Sequence, residues 1–444
     1  MSKSRRGDLG ACSSFSRQAT ARERAIMKQV TLVIIGAGGR GTLYAGYATM
    51  HPDLAKVVGV AEPREFWRER LVRDHAIPPR NVFDDWKALA RRRRFADAAV
   101  ICTLDPMHAG PAVALARKGY HILLEKPMAP VEKDCRRVAR AVRKAGVMMA
   151  VGHVMRYTDY TQKLKGLVDS GLIGDIVDLQ HLEPVGYWHQ AHSFVRGNFR
   201  NEAGSSFMLM SKSCHDLDWI SYIVGARCLK VSSFGHLNHF RKERRPAGAA
   251  DRCLDCGVEP ACPYSAARFY LARVARGEKG WPVDMLTPDL TAEGVTKALR
   301  DGPYGRCVYA CDNDVVDDQV VSMLFEGGRT ATFTMTAFNR QRDRETRIFG
   351  TRGELYGNGR TIEHFDFLTE KTATIDTQRP DVADDYGHGG GDYRLMQAFV
   401  GAVATGDSSK ILTGVTETLA SHLMVFAAEK ARRKGRVVDV PPPE

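Results

Sequence analysis

A short apolar run that leads into closely spaced glycines is the feature that most limits what this chain can fold into. Residues 29–38 read QVTLVIIGAG, and three of the glycines match the pattern GxGxxG. The turn consists of Gly36, Ala37, Gly38, Gly39, Arg40 and Gly41. The run predicts a buried strand, and the residues at about 39–50 predict a helix. In such a turn the glycines permit a tight bend, a close approach of the backbone to a pyrophosphate, and helix–strand packing.

An acidic residue follows at the spacing expected for dinucleotide binding. Glu62 lies 21 residues after Gly41, at the end of the predicted strand KVVGVAE. A carboxylate at this place accepts hydrogen bonds from the adenosine ribose hydroxyls, which favours NAD over NADP. NADP remains an alternative cofactor because of Arg64, since an arginine at this place can pair with a 2′-phosphate. A glycine-rich turn without any ligand is the alternative to both.

Strand-like and helix-like segments alternate from residue 29 to about residue 153. Further strands are predicted at 98–103, 121–125 and 147–153. Helices are predicted near 63–75, 107–118 and 131–145. This alternation predicts a Rossmann domain over 29–153, a doubly wound parallel sheet of the α/β class. We expect its ligand beyond the carboxyl ends of the strands.

The pattern changes in the second half, residues 154–444. Strand-like segments follow one another from about residue 315, separated by glycine turns. Helices are predicted near 158–170, from 214, over 391–405 and over 413–433. Short strands joined by such turns predict hairpin or meander connections. We therefore expect a C-terminal domain with a large, mostly antiparallel sheet and helices on one face.

Charge and hydropathy narrow the range of partners. The formal net charge is +12, which suits anionic ligands. The four arginines at 91–94 have no aromatic residues between them, so they predict a solvated helix end and no nucleic-acid partner. Since no run of about 18 apolar residues occurs, we expect no membrane partner.

The first 28 residues look unlike the rest. They are basic and lack apolar periodicity, which predicts a disordered tail over 1–28, and Met27 is a candidate translation start. Arg5 and Arg6 resemble a twin-arginine export signal, but no apolar region follows them. We therefore expect a cytoplasmic protein.

Two other patterns provide candidate catalytic groups. Lys126 lies in the sequence Glu125-Lys126-Pro127 at the end of a predicted strand, where a lysine can stabilise alkoxide character in an alcohol being oxidised. His215 begins a predicted helix, and Asp218 lies one turn later, so that the carboxylate can orient the imidazole. Such an imidazole can take a proton near neutral pH. The alternatives are a surface lysine and a histidine that caps the helix.

Half of the ten cysteines lie close together in the sequence. The cluster comprises Cys253, Cys256, Cys262, Cys307 and Cys311. A CxxC knuckle with a third and a distant fourth thiolate fits a closed tetrahedral zinc site. We favour Cys307 over Cys311 as the fourth ligand. Many prolines and glycines predict a loop-rich insertion over about 250–312, which a metal would stabilise. Free thiols and an iron–sulfur cluster are the alternatives.

These segments occur in an order that resembles the glucose–fructose oxidoreductase / inositol dehydrogenase / MocA (Gfo/Idh/MocA) family. The segments are GAGGRG at 36–41, TLDPMH at 103–108, EKP at 125–127, GHVMRY at 152–157 and HDLD at 215–218. The resemblance covers nearly the whole chain from residue 29 onward. It implies a Rossmann domain followed by a substrate domain, usually in dimers or tetramers. The implied reaction is NAD(P)-dependent oxidation of a hydroxyl on a sugar, cyclitol or glycoside.

The resemblance also implies roles for single residues. Lys126 is implied as the active-site lysine, and His215 as the catalytic histidine. Residues implied to contact the nicotinamide half of the cofactor are Thr103, Pro106, His108 and Glu125. Residues implied to lie near the substrate are Arg156, Tyr157 and His388. For His388, which begins the segment HGGGD, a loop that caps the helix from residue 391 is an equal alternative.

One position departs from the family pattern. Many dehydrogenases of the family carry aspartate four residues before the histidine, and here that residue is Ser211, followed by Lys212. A second ammonium near Lys126 disfavours the charged form of both lysines, so Lys212 is a further catalytic candidate. Because of this departure, an NAD-dependent glycoside hydrolase remains an alternative. Such an enzyme oxidises a sugar hydroxyl, eliminates the glycosidic substituent, adds water and reduces the ketone again. A non-catalytic regulator that binds NAD or sugar is the alternative of another class.

Overall fold

The computed structural model describes residues 28–377 and 386–443, which form two sheets. Almost all of the expected disordered tail, including Met27, lies outside the described residues. The strands of the first sheet are β1 (Val30–Ile35), β2 (Ala55–Ala61), β3 (Val82–Phe83), β4 (Ala98–Ile101), β5 (His121–Leu124) and β6 (Met149–Val151). They are all parallel, in the order β3-β2-β1-β4-β5-β6. This is the strand order of the Rossmann fold.

Helices follow the strands of this sheet as the alternation predicts. They are α1 (Gly39–Met50), α2 (Glu65–His75), α3 (Trp86–Arg91), α4 (Ala109–Ala116) and α5 (Glu132–Ala145). The sequence did not predict β3 and α3, because two strand residues and six helix residues are too short to show a period. The four arginines at 91–94 are exposed at the end of α3, as expected for a solvated helix end.

The second sheet is larger and mixed. Its nine described strands are β7 (Ile176–Pro184), β8 (Cys228–His236), β9 (Asp318–Phe325), β10 (Thr330–Thr336), β11 (Glu345–Gly350), β12 (Gly353–Gly357), β13 (Thr361–Asp366), β14 (Lys371–Asp376) and β15 (Val438–Asp439). Their order is β14-β13-β12-β11-β7-β10-β9-β8-β15. The pair β7–β10 is parallel and the other pairs are antiparallel. The expected large, mostly antiparallel sheet is confirmed.

Helices cover one face of the second sheet. The helices of this half are α6 (Asp159–Asp169), α7 (Tyr187–His189), α8 (Met208–Ser211), α9 (Cys214–Val224), α10 (Ala266–Ala275), α11 (Ala292–Asp301), α12 (Gly391–Thr405) and α13 (Val415–Lys434). Along β9, buried residues alternate with residues that are exposed or half-buried. Its buried residues share a core with apolar residues of α9 and α13. This alternation is typical of a sheet with one face on a core and the other uncovered.

One helix near the end of the chain packs on the first sheet, not the second. Leu395, Met396 and Phe399 of α12 lie in one apolar cluster with Leu32 and Ile34 of β1. From the sequence, this helix was predicted to belong to the second domain, residues 154–444. A Rossmann sheet needs helices on both faces, and here the C-terminal half of the chain supplies part of one layer.

One described segment, Ser408–Lys434, is long and apolar enough to span a membrane by length and composition. However, 56% of its most apolar window is buried inside the protein. Burial of this kind is typical of a core helix in a globular protein. We assign α13, which makes up most of the segment, to the core between the two sheets.

A buried ion pair joins the segment after the first sheet to the second domain. Arg156 binds Asp218 of α9 through two hydrogen bonds, Nε to Oδ2 at 2.6 Å and Nη2 to Oδ1 at 2.8 Å. Its Nη1 donates to the carbonyl of Leu412 at 2.8 Å. Both charged side chains are almost completely buried. A buried charge that loses its partner is strongly destabilising, so this pair is essential for stability.

We expect Arg156→Met to lower the free energy of unfolding by about 3–5 kcal/mol, because Asp218 would be left charged and buried. The matched control is Arg227→Met, which removes the exposed pair with Glu326 and should cost about 0–1 kcal/mol. Denaturant unfolding followed by fluorescence measures both values. Equal losses in the two variants would contradict the importance of the buried pair.

Candidate active site

The glycine turn between β1 and α1 has the geometry of a phosphate-binding loop. Gly36 has φ +89°, and a Cβ there would lie 2.6 Å from the carbonyl oxygen of Cys102. A Cβ at Gly41 would lie 1.9 Å from the carbonyl oxygen of Gly36, so neither position accepts a side chain. At Gly39, by contrast, no described atom lies within 4 Å of the place a Cβ would take. The turn is therefore open at the N-terminus of α1, where backbone N–H groups favour an anion.

The acidic residue expected at the adenosine ribose is buried and ionised. Glu62 accepts hydrogen bonds from the backbone N–H of Ala37 at 2.8 Å and from Arg64 Nε at 2.7 Å. Burial raises the pKa of Glu62, but the hydrogen bonds from Arg64 and Ala37 outweigh this and keep the pKa below its usual value. Arg64 is thus already paired with Glu62. The glycine turn therefore has an ionised carboxylate beside it, that of Glu62, bound to the backbone N–H of Ala37.

Arg40 connects three segments around the glycine turn. Its Nε donates to Glu125 Oε1 at 2.6 Å, and its Nη2 donates to Tyr44 and to Asp392 of α12. Arg40 and Lys126 hold the pKa of Glu125 below its usual value against the effect of burial. Glu125 is therefore a buried carboxylate bound by residues of the chain itself.

His388 lies at the far side of this network. Its Nδ1 lies 2.8 Å from Oδ2 of Asp392, four residues later. The residue begins a short turn, His388–Gly390, that leads directly into α12. The helix has no side-chain cap hydrogen bond, so both alternatives for the HGGGD segment stay predictions. The preceding residues 378–385 are not among those described.

The residues expected on the nicotinamide side lie in the loops after β4 and β5. His108 connects them, since Nε2 lies 3.0 Å from the carbonyl oxygen of Thr103 and Nδ1 lies 2.6 Å from that of Pro127. Pro106 lies in the short helical turn between them, Asp105–Met107. The hydroxyl of Thr103 is buried and has no hydrogen-bond partner among the described residues. A buried hydroxyl without a partner is expected where a ligand completes the bonding.

Lys126 reaches from the edge of the first sheet to the second domain. Its Nζ donates to the carbonyl oxygen of Ser211 at 2.6 Å. Ser211 ends α8, and His215 lies in the first turn of α9. In the described part of the chain, no carboxylate forms an ion pair with Lys126. The two catalytic candidates of the sequence therefore come together, and the ammonium has a neutral partner.

The carboxylate next to His215 is Asp216, not Asp218 as the helical spacing had predicted. Asp216 Oδ2 lies 3.7 Å from His215 Nε2, whereas Asp218 is bound to Arg156. The sequence did not anticipate Arg344, whose Nη2 lies 2.9 Å from the same ring nitrogen. Burial lowers the pKa of His215 well below its usual value; Asp216 acts to raise this pKa, and Arg344, Lys126 and Lys212 act to lower it. The imidazole is therefore neutral near neutral pH, and its Nε2 accepts from Arg344.

Lys212 and Arg344 share carboxylate partners. Lys212 Nζ lies 3.0 Å from Glu183 at the end of β7, and Arg344 Nη2 lies 2.6 Å from the same carboxylate. Arg344 Nε also binds Asp216 Oδ1 at 2.7 Å. Burial lowers the pKa of Lys212, and the raising effect of Glu183 only partly offsets this. A second cation beside His215 is therefore present, whereas the effect of Lys212 on Lys126 stays a prediction.

A second histidine lies close to these cations. Burial lowers the pKa of His189 well below its usual value, and Lys212 lowers it further. Its Nδ1 is buried without a hydrogen-bond partner within the described ranges. Its ring centroid lies 5.1 Å from that of Trp281 in the cysteine-rich insertion.

Only weak patterns in the sequence pointed to the residues that sequence analysis missed. Glu183 ends a predicted strand and Arg344 follows an arginine-rich turn, but no pattern connected either of them with His215. His189 has no partner close in sequence that would have drawn attention to it. These residues meet only through the pairing of strands and the packing of the insertion.

Arg156 and Tyr157, which the resemblance placed near the substrate, have other roles here. Arg156 is hydrogen-bonded to Asp218 and to the carbonyl of Leu412. The Tyr157 hydroxyl accepts from the backbone N–H of Leu412 at 2.9 Å and lies 3.1 Å from Thr413 Oγ1. Both side chains are 4% exposed. Every polar atom of the two side chains is bonded within the chain, which indicates a structural role, and their place near the substrate stays a prediction.

The cysteine-rich insertion brings four of its five thiols to one small cavity. The cavity is lined by Cys253, Cys256, Cys262 and Cys307, and Cys311 is not among its lining residues. Within residues 28–377 and 386–443, however, no group of three or more His, Cys, Asp or Glu side chains stands at separations that would hold a metal ion. The nine described cysteines are free thiols.

Comparison with known proteins agrees with this geometry. The model of an oxidoreductase family with an NAD-binding Rossmann fold, GFO_IDH_MocA, matches residues 30–153. The model of the C-terminal alpha/beta domain of the same family matches residues 165–440.

Curated relatives are distant. The putative oxidoreductase YteT of Bacillus subtilis is 24% identical over 318 residues, which is 68% of this chain and 71% of that protein. The 2,7-anhydro-N-acetylneuraminate hydratase of Escherichia coli is 25% identical over 192 residues, which is 43% of this chain and 49% of that protein. The match therefore spans less than two thirds of the hydratase.

A solved structure shares the whole fold. Levoglucosan dehydrogenase, in a complex with NADH and L-sorbose, superimposes with a TM-score of 0.69 at 19% identity. The superposition covers 94% of this chain and all of the other. Since the two family models together match well over half of the sequence, the chain belongs to the Gfo/Idh/MocA family of oxidoreductases and is an NAD-dependent enzyme.

Proposed function

We propose that the protein oxidises a ring hydroxyl of a sugar, cyclitol or glycoside, with hydride transfer to NAD. The observation that carries the proposal is the hydrogen bond from Lys126 Nζ to the carbonyl of Ser211. It brings the ammonium at the carboxyl edge of the first sheet next to Lys212 and His215 of the second domain. The sugar substrate class is supported by the structural likeness to levoglucosan dehydrogenase.

The residues around the glycine turn suit NAD. The open N-terminus of α1 would bind the pyrophosphate, and the ionised Glu62 would accept from the adenosine ribose hydroxyls. Glu62 would also repel a 2′-phosphate, and Arg64 is paired with it. The unpartnered hydroxyl of Thr103 lies on the nicotinamide side. When bound, NAD supplies the nicotinamide ring that accepts a hydride.

Lys126 is the residue that stabilises charge on the substrate oxygen in this proposal. The hydrogen-bond partner of this ammonium is a neutral carbonyl, and no described carboxylate forms an ion pair with it. It can therefore donate to the substrate hydroxyl and stabilise the alkoxide character that develops as the C–H bond breaks. Glu125, the residue before it, is already bound to Arg40.

His215 is the proton acceptor in the same scheme. Its ring is neutral, and the lone pair of Nε2 is held by Arg344. The substrate hydroxyl therefore has to displace Arg344 from Nε2 before it can give up its proton. Glu183 and Asp216 keep the displaced guanidinium close by. Lys212, paired with Glu183, adds positive potential beside the developing alkoxide.

A redox-neutral reaction is the second candidate. Many dehydrogenases of the family carry an aspartate where Ser211 lies, and here the neighbouring side chain is a lysine bound to Glu183. A cation at this place favours a reaction in which a ketone intermediate is deprotonated next to the carbonyl and later reduced again. The likeness to a hydratase supports this candidate.

Self-association and a cytoplasmic location complete the proposal. A homodimer or homotetramer is supported by apolar residues on the uncovered face of the second sheet. Phe234 and Val320 are directly opposite each other in β8 and β9, and they are 62% and 40% exposed. Leu324 lies on the same face. Apolar groups exposed together on one surface are typical of protein contacts, so we place the subunit contact there.

One assay decides between the two reactions. The protein is incubated with NAD and a panel of free sugars, inositols and aryl glycosides, while NADH and released aglycone are followed together. Net NADH without aglycone is the expected result. Aglycone without net NADH would establish the redox-neutral reaction instead. Neither product, despite measurable NAD binding, would contradict both and favour a regulator.

We expect Lys126→Ala to lower kcat by about 10²–10³-fold, because the donor to the developing alkoxide is lost. The affinity for NAD, measured by calorimetry, should change little. The control is Lys133→Ala, which removes an exposed lysine of α5 and should leave kcat unchanged. Full activity in Lys126→Ala would exclude the proposed role.

The pH dependence tests the role of His215. The neutral ring is the active form, and because its pKa is lowered, kcat/KM should stay high at pH values below the ordinary titration range of histidine. Arg344→Gln removes a cation that lowers this pKa, so the acid limb of the profile should move to higher pH. Arg347→Gln, at an exposed position of β11, serves as the control. An unchanged acid limb in Arg344→Gln would contradict the assignment.

A further inference from the structure

The cavity in the cysteine-rich insertion is small, and four of its twelve lining residues are cysteines. Four of the five clustered cysteines line it, together with Arg196, and its volume is about 20 Å³. A space of this size holds one water-sized or ion-sized occupant. Cys311 is not among the lining residues, and its thiol donates to the carbonyl of Cys307 at 3.2 Å. Four of the five clustered thiols therefore line the cavity.

Short turns present these thiols to the cavity. Cys253 begins one helical turn, Cys253–Asp255, and Cys262 directly follows another, Glu259–Ala261. The N–H of Cys256 donates to the carbonyl of Cys253 at 3.4 Å, which closes the CxxC turn. The N–H of Cys307 donates to the carbonyl of Asp251 at 2.8 Å, which brings the distant fourth thiol alongside. This is the chain arrangement of a metal knuckle.

A buried cation without an anionic partner lies beside the same thiols. Arg196 is 3% exposed. Its Nε and Nη2 donate to the carbonyls of Arg306 and Tyr264, both at 2.7 Å, and its Nη2 lies 3.6 Å from the sulfur of Cys253. No carboxylate in the described ranges forms an ion pair with it. A buried guanidinium is costly unless negative charge offsets it, and neutral thiols do not provide that charge.

We propose that Cys253, Cys256, Cys262 and Cys307 bind one structural zinc ion as thiolates, and that Arg196 offsets the charge of the complex. Four thiolates and one divalent ion have a net charge of −2, since 2 − 4 = −2, which the guanidinium partly neutralises. The thiols have to move inward to reach zinc–sulfur distances of about 2.3 Å. Each thiol releases its proton to solvent on binding.

The zinc site would stabilise the wall beside the proposed active site. The helical segment Gln190–Arg196 ends at the cavity, and it continues directly from α7, which contains His189. Trp281 of the insertion packs on the rings of Trp188 and His189 with centroids 5.2 Å and 5.1 Å away. Zinc would thus fix the insertion against the segment that faces Lys212.

The test is metal analysis of the full chain, purified under reducing conditions without chelator. About one zinc per chain is expected. Cys256→Ser and Cys262→Ser should lose it, whereas Cys311→Ser and Cys228→Ser should retain it. Protein that contains no zinc and takes up none when zinc is added would overturn the proposal. Equal loss in Cys311→Ser would overturn the ligand assignment, and iron with inorganic sulfide would overturn zinc as the metal.

A second measurement avoids variants that fail to fold. Replacing zinc by Co²⁺ in the unmodified protein should produce the visible and charge-transfer absorption of a tetrahedral thiolate complex. Absence of these bands with bound cobalt would contradict thiolate ligation. Arg196→Gln should release zinc to a competing chelator faster than the control Arg276→Gln, which changes an exposed arginine. Equal release rates would remove Arg196 from the proposal.

Discussion

The ion network of Arg40 determines how the two halves of the chain meet. Its guanidinium binds Glu125 at the end of β5 and Asp392 at the start of α12, and both carboxylates are buried. Two buried carboxylates in this proximity require a cation between them. Through this one side chain, the glycine turn, the edge of the parallel sheet and a helix from the far end of the chain are held together. The position of Lys126, which follows Glu125, depends on it.

A second ion network holds the catalytic groups of the C-terminal half together. Glu183 and Asp216 share Arg344, while Lys212 pairs with Glu183 and His215 accepts from Arg344. Burial lowers the pKa of both Lys212 and His215. Both groups are therefore pushed towards their neutral forms. A site with this bias favours proton acceptance over proton donation, which agrees with oxidation of an alcohol.

The sequence predicted local features well where one segment was sufficient. The glycine turn, Glu62 at the end of β2, and Lys126 at the end of β5 lie where their spacing placed them. Asp218 shows the opposite case. Its position one turn after His215 permitted a contact, but Arg156, from a segment about 60 residues away in sequence, took that carboxylate instead. Helical spacing says which side chains are able to meet, and competition among buried charges decides which ones do.

The sequence alone predicted the Rossmann fold, the family resemblance, the dinucleotide turn and the two catalytic candidates. Each of these depends on residues that are close together in the chain or on periodic burial. Only the tertiary structure decided that Asp216 and Arg344 are the neighbours of His215, that α12 covers the first sheet, and that Cys307 rather than Cys311 lines the cavity. These contacts join segments far apart in the chain. Their partners are selected by packing and charge compensation, for which no local pattern exists.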